Sequence, residues 1–349
     1  MSHPHELLQN LLDKSVDGSR IVGLSFALSK GTKIFTGCSG NLVANKPFFI
    51  ASTTKLFTTA IILQLSAEGR LSLEDGIAKI LSPKIISGLH VYKGKEFTQE
   101  ICIRHLLSHT SGLADYFQDK QLHKGSLEQE IKAGKDRGWT FEDIIELNAH
   151  QKAFFAPGTS GKAHYSDTNF QLLGKIIEEI TGISFEANCF TRIIEPLGLK
   201  HTYIYNNSPD QNPMPLYYKS DVLHIPLAMS SFGPDGGMVS TAEDLLAFIR
   251  AFFQGELFPQ EYLKCMQVWN RIFFPLQAGL GIHLFKLPWF FNPFGTIPPF
   301  IGHSGLSGAL AFYCPGSDLY IAGTVNQVAS PDKSFRLMIQ LERLSKNIF

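Results

Sequence analysis

Excess charge of either sign is missing from this 349-residue chain: 31 Lys and Arg balance 31 Asp and Glu. That removes the bulk electrostatic pull expected of a nucleic-acid binder or a polybasic membrane-surface protein. Charged residues are also scarce, at 18%, against about 25% in an ordinary soluble chain. The five cysteines (Cys38, Cys102, Cys189, Cys265 and Cys314) are scattered, with no Cys-x-x-Cys pair. A zinc cluster, a thioredoxin-like centre and a disulfide framework are therefore poor readings. No run of 18 apolar residues occurs, so no transmembrane helix is expected. The start, MSHPHE, has no basic patch followed by an apolar run and does not read as a signal peptide. The expectation is a cytoplasmic protein, or a periplasmic one if a leader has been trimmed. There is no Gly-x-Ser-x-Gly elbow and no Gly-rich phosphate loop with a following lysine.

The pattern along the chain is strand-rich at the ends and helical between. Residues 6–14 read as an amphipathic helix. Arg20–Leu28 and Lys33–Ser39 read as a hairpin around Ser29–Gly31. Thr53–Glu68 has helical spacing, with Gly69 ending it. Helical segments follow at Ile101–Ser108, Leu127–Ala133, Phe141–Ala149, Asn169–Thr181 and Phe185–Ile194. Strand signals resume at Ala278–Phe285, Ala309–Tyr313 and Leu319–Val325, and Pro331–Ser345 closes the chain as a helix. This order predicts an α+β fold. An antiparallel sheet is built from both chain ends and flanked by helices, with a mostly helical subdomain inserted.

Three short motifs carry chemistry. Ser52-Thr-Thr-Lys55 lies where a loop becomes a helix, and residues i and i+3 share a helix face. Lys55 can thus reach the Ser52 hydroxyl, which needs a neighbouring base to become a nucleophile. The helix N-terminus suits a developing oxyanion. The plainer reading is an N-cap, and Ser330-Pro-Asp-Lys333, which has the same spacing, is expected to be one. Tyr165-Ser-Asp167 precedes a helix; a tyrosine can move protons if cations lower its pKa. Its plainer reading is a half-buried junction aromatic, and Tyr205-Asn-Asn207 has similar spelling. His303-Ser-Gly305 leads into a strand, where Gly305 would allow close backbone approach. Its plainer reading is a turn with a solvent-facing histidine, and His123-Lys-Gly125 repeats the spelling.

The order of these motifs, with their flanks, resembles the β-lactamase-related serine hydrolases, which include class C β-lactamases, D-alanyl-D-alanine carboxypeptidases, D-aminopeptidases and esterases. The segments Ile50–Lys55 (IASTTK), Leu106–Leu113 (LLSHTSGL), Phe155–Gly158 (FAPG), Tyr165–Gly174 (YSDTNFQLLG), Gly236–Leu245 (GGMVSTAEDL) and Gly302–Gly308 carry the likeness. It implies a single β-lactamase-like catalytic domain of penicillin-binding-protein type. Its α/β part would take about 1–74 and 230–349, and its helical subdomain about 75–229. It also implies Ser52 as the acylated nucleophile and Lys55 with Tyr165 as the proton-moving pair. The N–H groups of Ser52 and Leu306 would form the oxyanion hole. Asp167, His303, Ser304 and Gly305 would contact the substrate. No metal or organic cofactor is needed.

Two positions depart from the pattern. Asp167 stands where asparagine is usual, and His303 where lysine is common in β-lactamases. Both make the site less positive, which favours an uncharged ester over a substrate bearing a carboxylate. The expected activity is hydrolysis of a small ester or amide through an acyl-enzyme, with an esterase favoured. A true β-lactamase, a D-amino-acid peptidase, and a non-hydrolytic sensor or structural protein on the same fold are the alternatives. The oligomeric state is open.

Two further features admit several readings. His105 and His109 are spaced i, i+4, as two metal ligands on one helix face would be, but no HExxH glutamate accompanies them. The 28 phenylalanines thicken around Phe273, Phe274, Phe285, Phe290, Phe291, Phe294 and Phe300, with Trp289. Core plus a proline-rich loop is the plain reading. An apolar wall beside His303 and an exposed patch for a partner or membrane are the others.

Overall fold

The computed structural model describes residues 4–121, 125–346 and 348–349. An eight-stranded antiparallel sheet runs in the order Asn270–Arg271, Leu276–Ala278, His283–Phe285, Phe300–Ser304, Ala309–Cys314, Leu319–Thr324, Gly23–Lys30 and Lys33–Gly40. The two chain ends meet where Gly23–Lys30 pairs with Leu319–Thr324, Ala27 opposite Ala322. Side-chain alternation explains which face each helix takes. Leu24, Phe26 and Leu28 pack with Leu8, Leu12, Leu337 and Leu341, which come from the terminal helices Pro4–Ser15 and Asp332–Ser345. On the other face Ala27, Ala309, Ala311 and Ala322 are small, and the helix Ala242–Gln254 lies against them with Phe248 and Phe252. Thr241 caps that helix by accepting from Asp244 N, and Gly255 ends it at φ +79°.

The expected α+β arrangement is observed, with local differences. The amino-terminal helix starts at Pro4, and the hairpin strands run Gly23–Lys30 and Lys33–Gly40. The stretch Ala278–Phe285 is not one strand. Gly279 N donates to Ile282 O, turning the chain between Leu276–Ala278 and His283–Phe285. Phe185–Ile194 continues from a helical turn, Phe185–Cys189, into a wider one, Phe190–Ile194. His303 is not on a turn but inside the strand Phe300–Ser304, and it is buried. The aromatic stretch divides. Phe285 and Phe300 are core, whereas Phe273, Phe274, Trp289, Phe290, Phe291 and Phe294 are exposed.

Residues 75–229 are mostly helices, joined by the small hairpins Val91–Tyr92/Lys95–Glu96 and Leu216–Tyr218/Asp221–Leu223. The buried helix Lys55–Ala67 packs against Asp167–Thr181, with Leu56, Ile61, Phe170 and Leu173 all inaccessible to solvent. Gly69 follows its end at φ +71°.

Gly305 is where the sheet meets the start of that helix. A Cβ there would lie 2.3 Å from Ile50 O and 2.9 Å from the Ala51 Cβ. Both obstacles are fixed, one of them backbone, so Gly305→Ala must push the strand end away from the Ser52 segment. The expected cost is about 1–3 kcal/mol, read from urea unfolding, together with slower labelling of Ser52 by a fluorophosphonate. Unchanged stability and labelling would show that this approach is not tight.

Candidate active site

The segment before Ser52 is held from outside. Phe48–Phe49 pairs with Met238–Ser240, and Ile50 N donates to Met238 O at 3.0 Å. Ala51 then takes φ +46°, a left-handed conformation uncommon for a residue with a side chain. It delivers Ser52 into the helical turn Ala51–Thr54, from which Lys55 continues as α-helix. Neither Ser52 nor Ser330 acts as a side-chain cap. The Ala51–Thr54 turn and the helix Asp332–Ser345 both lack a side-chain capping bond, which corrects the expectation for Ser330.

Lys55 is fully buried, and three oxygens crowd its ammonium. Ser52 Oγ lies at 3.1 Å, the Asp235 backbone carbonyl at 2.6 Å, and Asp167 Oδ1 at 2.6 Å. The Asp167 contact is a close ion pair. Burial alone would lower the Lys55 pKa. The neighbouring acidic groups, the Asp167 charge first among them, more than offset it, and the amine is held well above its ordinary range. The Lys55 Nζ sits 5.3 Å from the centre of the Tyr165 ring. Burial, and then the Asp167 charge, push the Tyr165 phenol well up; Lys55 and contacts with Ser52 act in the opposite sense.

The segment 108–117 holds Tyr165 and Asp167 in place. His109, at φ +57°, stacks on Tyr165 with ring centres 4.6 Å apart. Its Nδ1 accepts from Ser166 N, and Ser166 and Thr168 both donate to Ala114 O. The helix carrying His105 ends at Leu107, so no helix face pairs His105 with His109. Tyr205, by contrast, donates to the carbonyls of Ser208 and Asp210 in a loop of its own. His123-Lys124 lies outside the described residues.

His303 stacks on His283 at 3.8 Å, and His283 in turn lies 5.8 Å from Tyr165. Burial holds all three histidines neutral. It pushes His283 down to about 3, and His109 and His303 well below their usual value. His303 Nδ1 donates to Ser304 O. After Ser304 the turn closes by Gly305 N to Ala309 O and Gly308 N to Gly305 O. This sets Leu306 and Ser307 on the wall of a cavity that also exposes Ser52 and Asp167.

That cavity is open to solvent and has an interior volume of about 60 Å³. Its walls are mainly apolar: Phe117, Ile131, Leu216, Leu223, Ile225, Met229, Phe232, Leu306 and Val328. The aromatic stretch 285–300 does not form this wall, contrary to one expectation. Phe273 alone reaches the site, edge-on to Tyr165 at 5.7 Å. The lining also holds Asp167, Asp235, Glu128 and Lys132, and Lys132 is paired with Glu128 at 2.8 Å.

Residues that the motifs did not flag complete the electrostatics. Asp235 accepts from Tyr116 OH at 2.8 Å and Gln171 Nε2 at 2.9 Å. Burial, and then Asp167, push its pKa up to about 8. Asp115 is raised well above the carboxylate range for the same reasons. Both are adjacent to quoted segments, Asp115 just after LLSHTSGL and Asp235 just before GGMVSTAEDL. Adjacency was the available signal; burial was not visible.

Taken together, these elements define the β-lactamase and penicillin-binding-protein architecture. The chain belongs to the β-lactamase family, whose model matches residues 8–344. A teichoic acid D-alanine hydrolase of Staphylococcus aureus is 30% identical over 165 residues. The match takes in 47% of this chain and 34% of that protein, so it spans about a third of the relative. A D-stereospecific amidohydrolase from Streptomyces sp. superimposes with a TM-score of 0.76 at 27% identity, covering 95% of this chain and 97% of its own. The D-amino acid amidase of Ochrobactrum anthropi SV3, solved with D-phenylalanine, shares the fold at TM-score 0.80 and 22% identity, over 99% of both chains.

The buried groups make stability depend on pH in two directions. Asp235 has a raised native pKa, so its contribution is lost as pH climbs from about 4 to about 8. His283 has a depressed one, so its contribution is lost as pH falls from about 6.5 toward 3. Asp235→Asn should therefore gain on the wild type as pH rises to 8, and His283→Phe as pH drops to 5. Each should do so by up to about 1.4 kcal/mol per pH unit. Urea unfolding at three pH values tests this; parallel curves for wild type and both variants would refute it.

Proposed function

We propose that the protein hydrolyses small esters or amides through an acyl-enzyme on Ser52, with an ester of an apolar acyl group the favoured substrate. The observation that carries this reading is the triplet of Ser52, Lys55 and Asp167 opening into an apolar cavity whose polar lining is mostly acidic. A β-lactam or a peptide C-terminus brings a carboxylate. Among the described residues lining the cavity, Lys132 is the cation, and Glu128 already neutralises it. An uncharged ester needs no such partner.

The proton route follows from the crowding of Lys55. An ammonium has no lone pair with which to accept a proton. For Ser52 to lose its proton to Lys55, the amine must first release one, and Asp167 Oδ1 stands at 2.6 Å to take it. Asp167 then serves as the proton store where an amide could not. Tyr165, neutral at working pH, is placed to give a proton to the leaving group. The N–H groups of Ser52 and Leu306 would hold the oxyanion. Lys55, holding the Ser52 proton, would return one to Tyr165; water entering after the leaving group departs would then attack the acyl carbon, and its proton would go to Ser52 as the acyl–oxygen bond breaks and the acid leaves.

A second reading is favoured by one of these acidic groups. Asp235, once ionised, could receive the ammonium of an amino-acid derivative; relatives of this chain are named a D-amino acid amidase and a teichoic acid D-alanine hydrolase.

Side-by-side turnover of short p-nitrophenyl esters, a D-aminoacyl p-nitroanilide, a chromogenic cephalosporin and a D-alanyl-D-alanine peptide tests both readings. The esters should have the highest kcat/KM and the cephalosporin the lowest. A cephalosporin preference would sink the favoured reading. Ser52→Ala should abolish acylation, with the fluorophosphonate adduct found on the Ser52 peptide in the wild type. An adduct elsewhere would reassign the nucleophile.

Asp167→Asn separates the proton store from simple repulsion. If Asp167 stores the proton, ester turnover should fall by about 100-fold or more, with a changed pH–rate profile. If it only repels anions, ester turnover should hold while cephalosporin turnover rises.

A further inference from the structure

The proposed chemistry leaves one conspicuous surface unused. Between the strands His283–Phe285 and Phe300–Ser304 the chain runs out as LPWFFNPFGTIPP, residues 287–299. Trp289 is 78% exposed and Phe294 89%, and Phe290 and Phe291 are more than half exposed. Phe274 extends the patch, its ring 5.7 Å from Phe291, while Phe291 and Phe290 are 4.8 Å apart. Scattered surface apolar residues need no explanation, but a contiguous aromatic patch marks an interaction site.

We propose that this patch docks the protein peripherally on an anionic lipid surface. The aromatic rings would sit in the headgroup–acyl boundary, and Arg271 and Lys286 would lie at the level of the phosphates. No helix among the described residues is long and apolar enough to cross a membrane, so docking is by this loop rather than by a span.

Charge complementarity names the occupant. The chain as a whole is neutral, yet no Asp or Glu occurs between Glu261 and Asp318, while Lys264, Arg271 and Lys286 do. Arg271, on the edge strand Asn270–Arg271, and Lys286, the residue after His283–Phe285, are both exposed. Cations bordering an aromatic surface match anionic headgroups, and tryptophan favours that boundary. The loop backbone points to the same environment. Phe291 N and Asn292 N donate to Pro288 O, and Gly295 N donates to Asn292 O. The Asn292 side chain donates to Ile297 O and accepts from Ile297 N. Pro288, Pro293, Pro298 and Pro299 have no N–H to satisfy. A loop that bonds several of its polar groups to one another while exposing its rings suits lipid better than a protein partner, which would use those groups for register. This inference does not depend on the esterase reading.

The test is co-sedimentation of the full chain with vesicles of phosphatidylcholine alone, and of phosphatidylcholine with phosphatidylglycerol in about equal amounts. Binding should favour the anionic vesicles, weaken with salt and shift tryptophan emission to the blue. Trp289→Ser with Phe291→Ser should lower partitioning by about ten-fold or more. Arg271→Gln and Lys286→Gln should each lower it by about five-fold on anionic vesicles. Fluorophosphonate labelling at the wild-type rate verifies that each variant is folded. Absence of binding to both vesicle types, or binding indifferent to the aromatic pair, would overturn the proposal. So would a dimer in sizing chromatography that the aromatic pair abolishes without any vesicle binding, which would assign the patch to a second copy of the chain.

Discussion

One buried ammonium organises this molecule. Lys55 has no access to solvent, and a charge without water must have partners or it will not stay charged. One partner, Ser52, stands beside it, and two come from distant stretches: Asp167 at the start of another helix, and the Asp235 carbonyl. Each stretch is in turn pinned. Thr58 donates to Pro234 O, Met238 N donates to Thr54, and Asn169 accepts from Ser111. The helix Lys55–Ala67 therefore cannot shift without unpairing its own first residue. The left-handed Ala51 and the close approach of Gly305 to Ile50 follow from the same demand for a fixed Ser52.

The surrounding groups keep the ion pair simple. Three carboxyl groups face one ammonium, which would leave excess negative charge in a dry interior. Burial resolves this by holding protons on Asp115 and Asp235, leaving Asp167 to match Lys55. Tyr116 and Gln171 both bind one oxygen of Asp235, and the other has no partner among the described residues, which suits a carboxylic acid. On the opposite side His109, His283 and His303 are neutral rings stacked toward Tyr165. A lysine in place of His303 would bring a second cation to this side. Histidine leaves Lys55 alone, and so leaves the site without spare positive charge for an anionic substrate.

Much of this was legible in sequence because it is local. The i, i+3 spacing of Ser52 and Lys55, the hairpin around Gly31 and the helix stop at Gly69 depend on neighbours in the chain, and the structure has all three. What was not legible depends on tertiary burial. His303 reads as a turn residue because Gly305 follows it, and only the pairing of Phe300–Ser304 with Ala309–Cys314 puts it inside a strand. Asp115 and Asp235 look like surface carboxylates until the helices close over them. The helix Ala242–Gln254 had a cap at Thr241 and a stop at Gly255, and was the one long element that local signals could have revealed but the reading left unassigned. The aromatic stretch defeated composition altogether, since Phe300 and Phe294 are the same residue type six positions apart, one sealed in the core and one almost fully exposed.

Zero net charge excludes a bulk field but not a local one, and the distribution here is uneven. The stretch 262–317 has no acid and supplies the edge of the sheet, whereas Asp167, Asp235 and Glu128 gather around the cavity beside Ser52. Phe273 stands between the two regions, half exposed and edge-on to Tyr165. Tyr165 thus lies between an acid-free stretch and a cavity in which Asp167 and Glu128 are paired with Lys55 and Lys132. A lipid headgroup could approach the aromatic edge, but in the cavity its phosphate would find Lys132 already paired with Glu128. The group best suited to the mainly apolar cavity walls is itself apolar and uncharged, like the acyl group of the proposed ester.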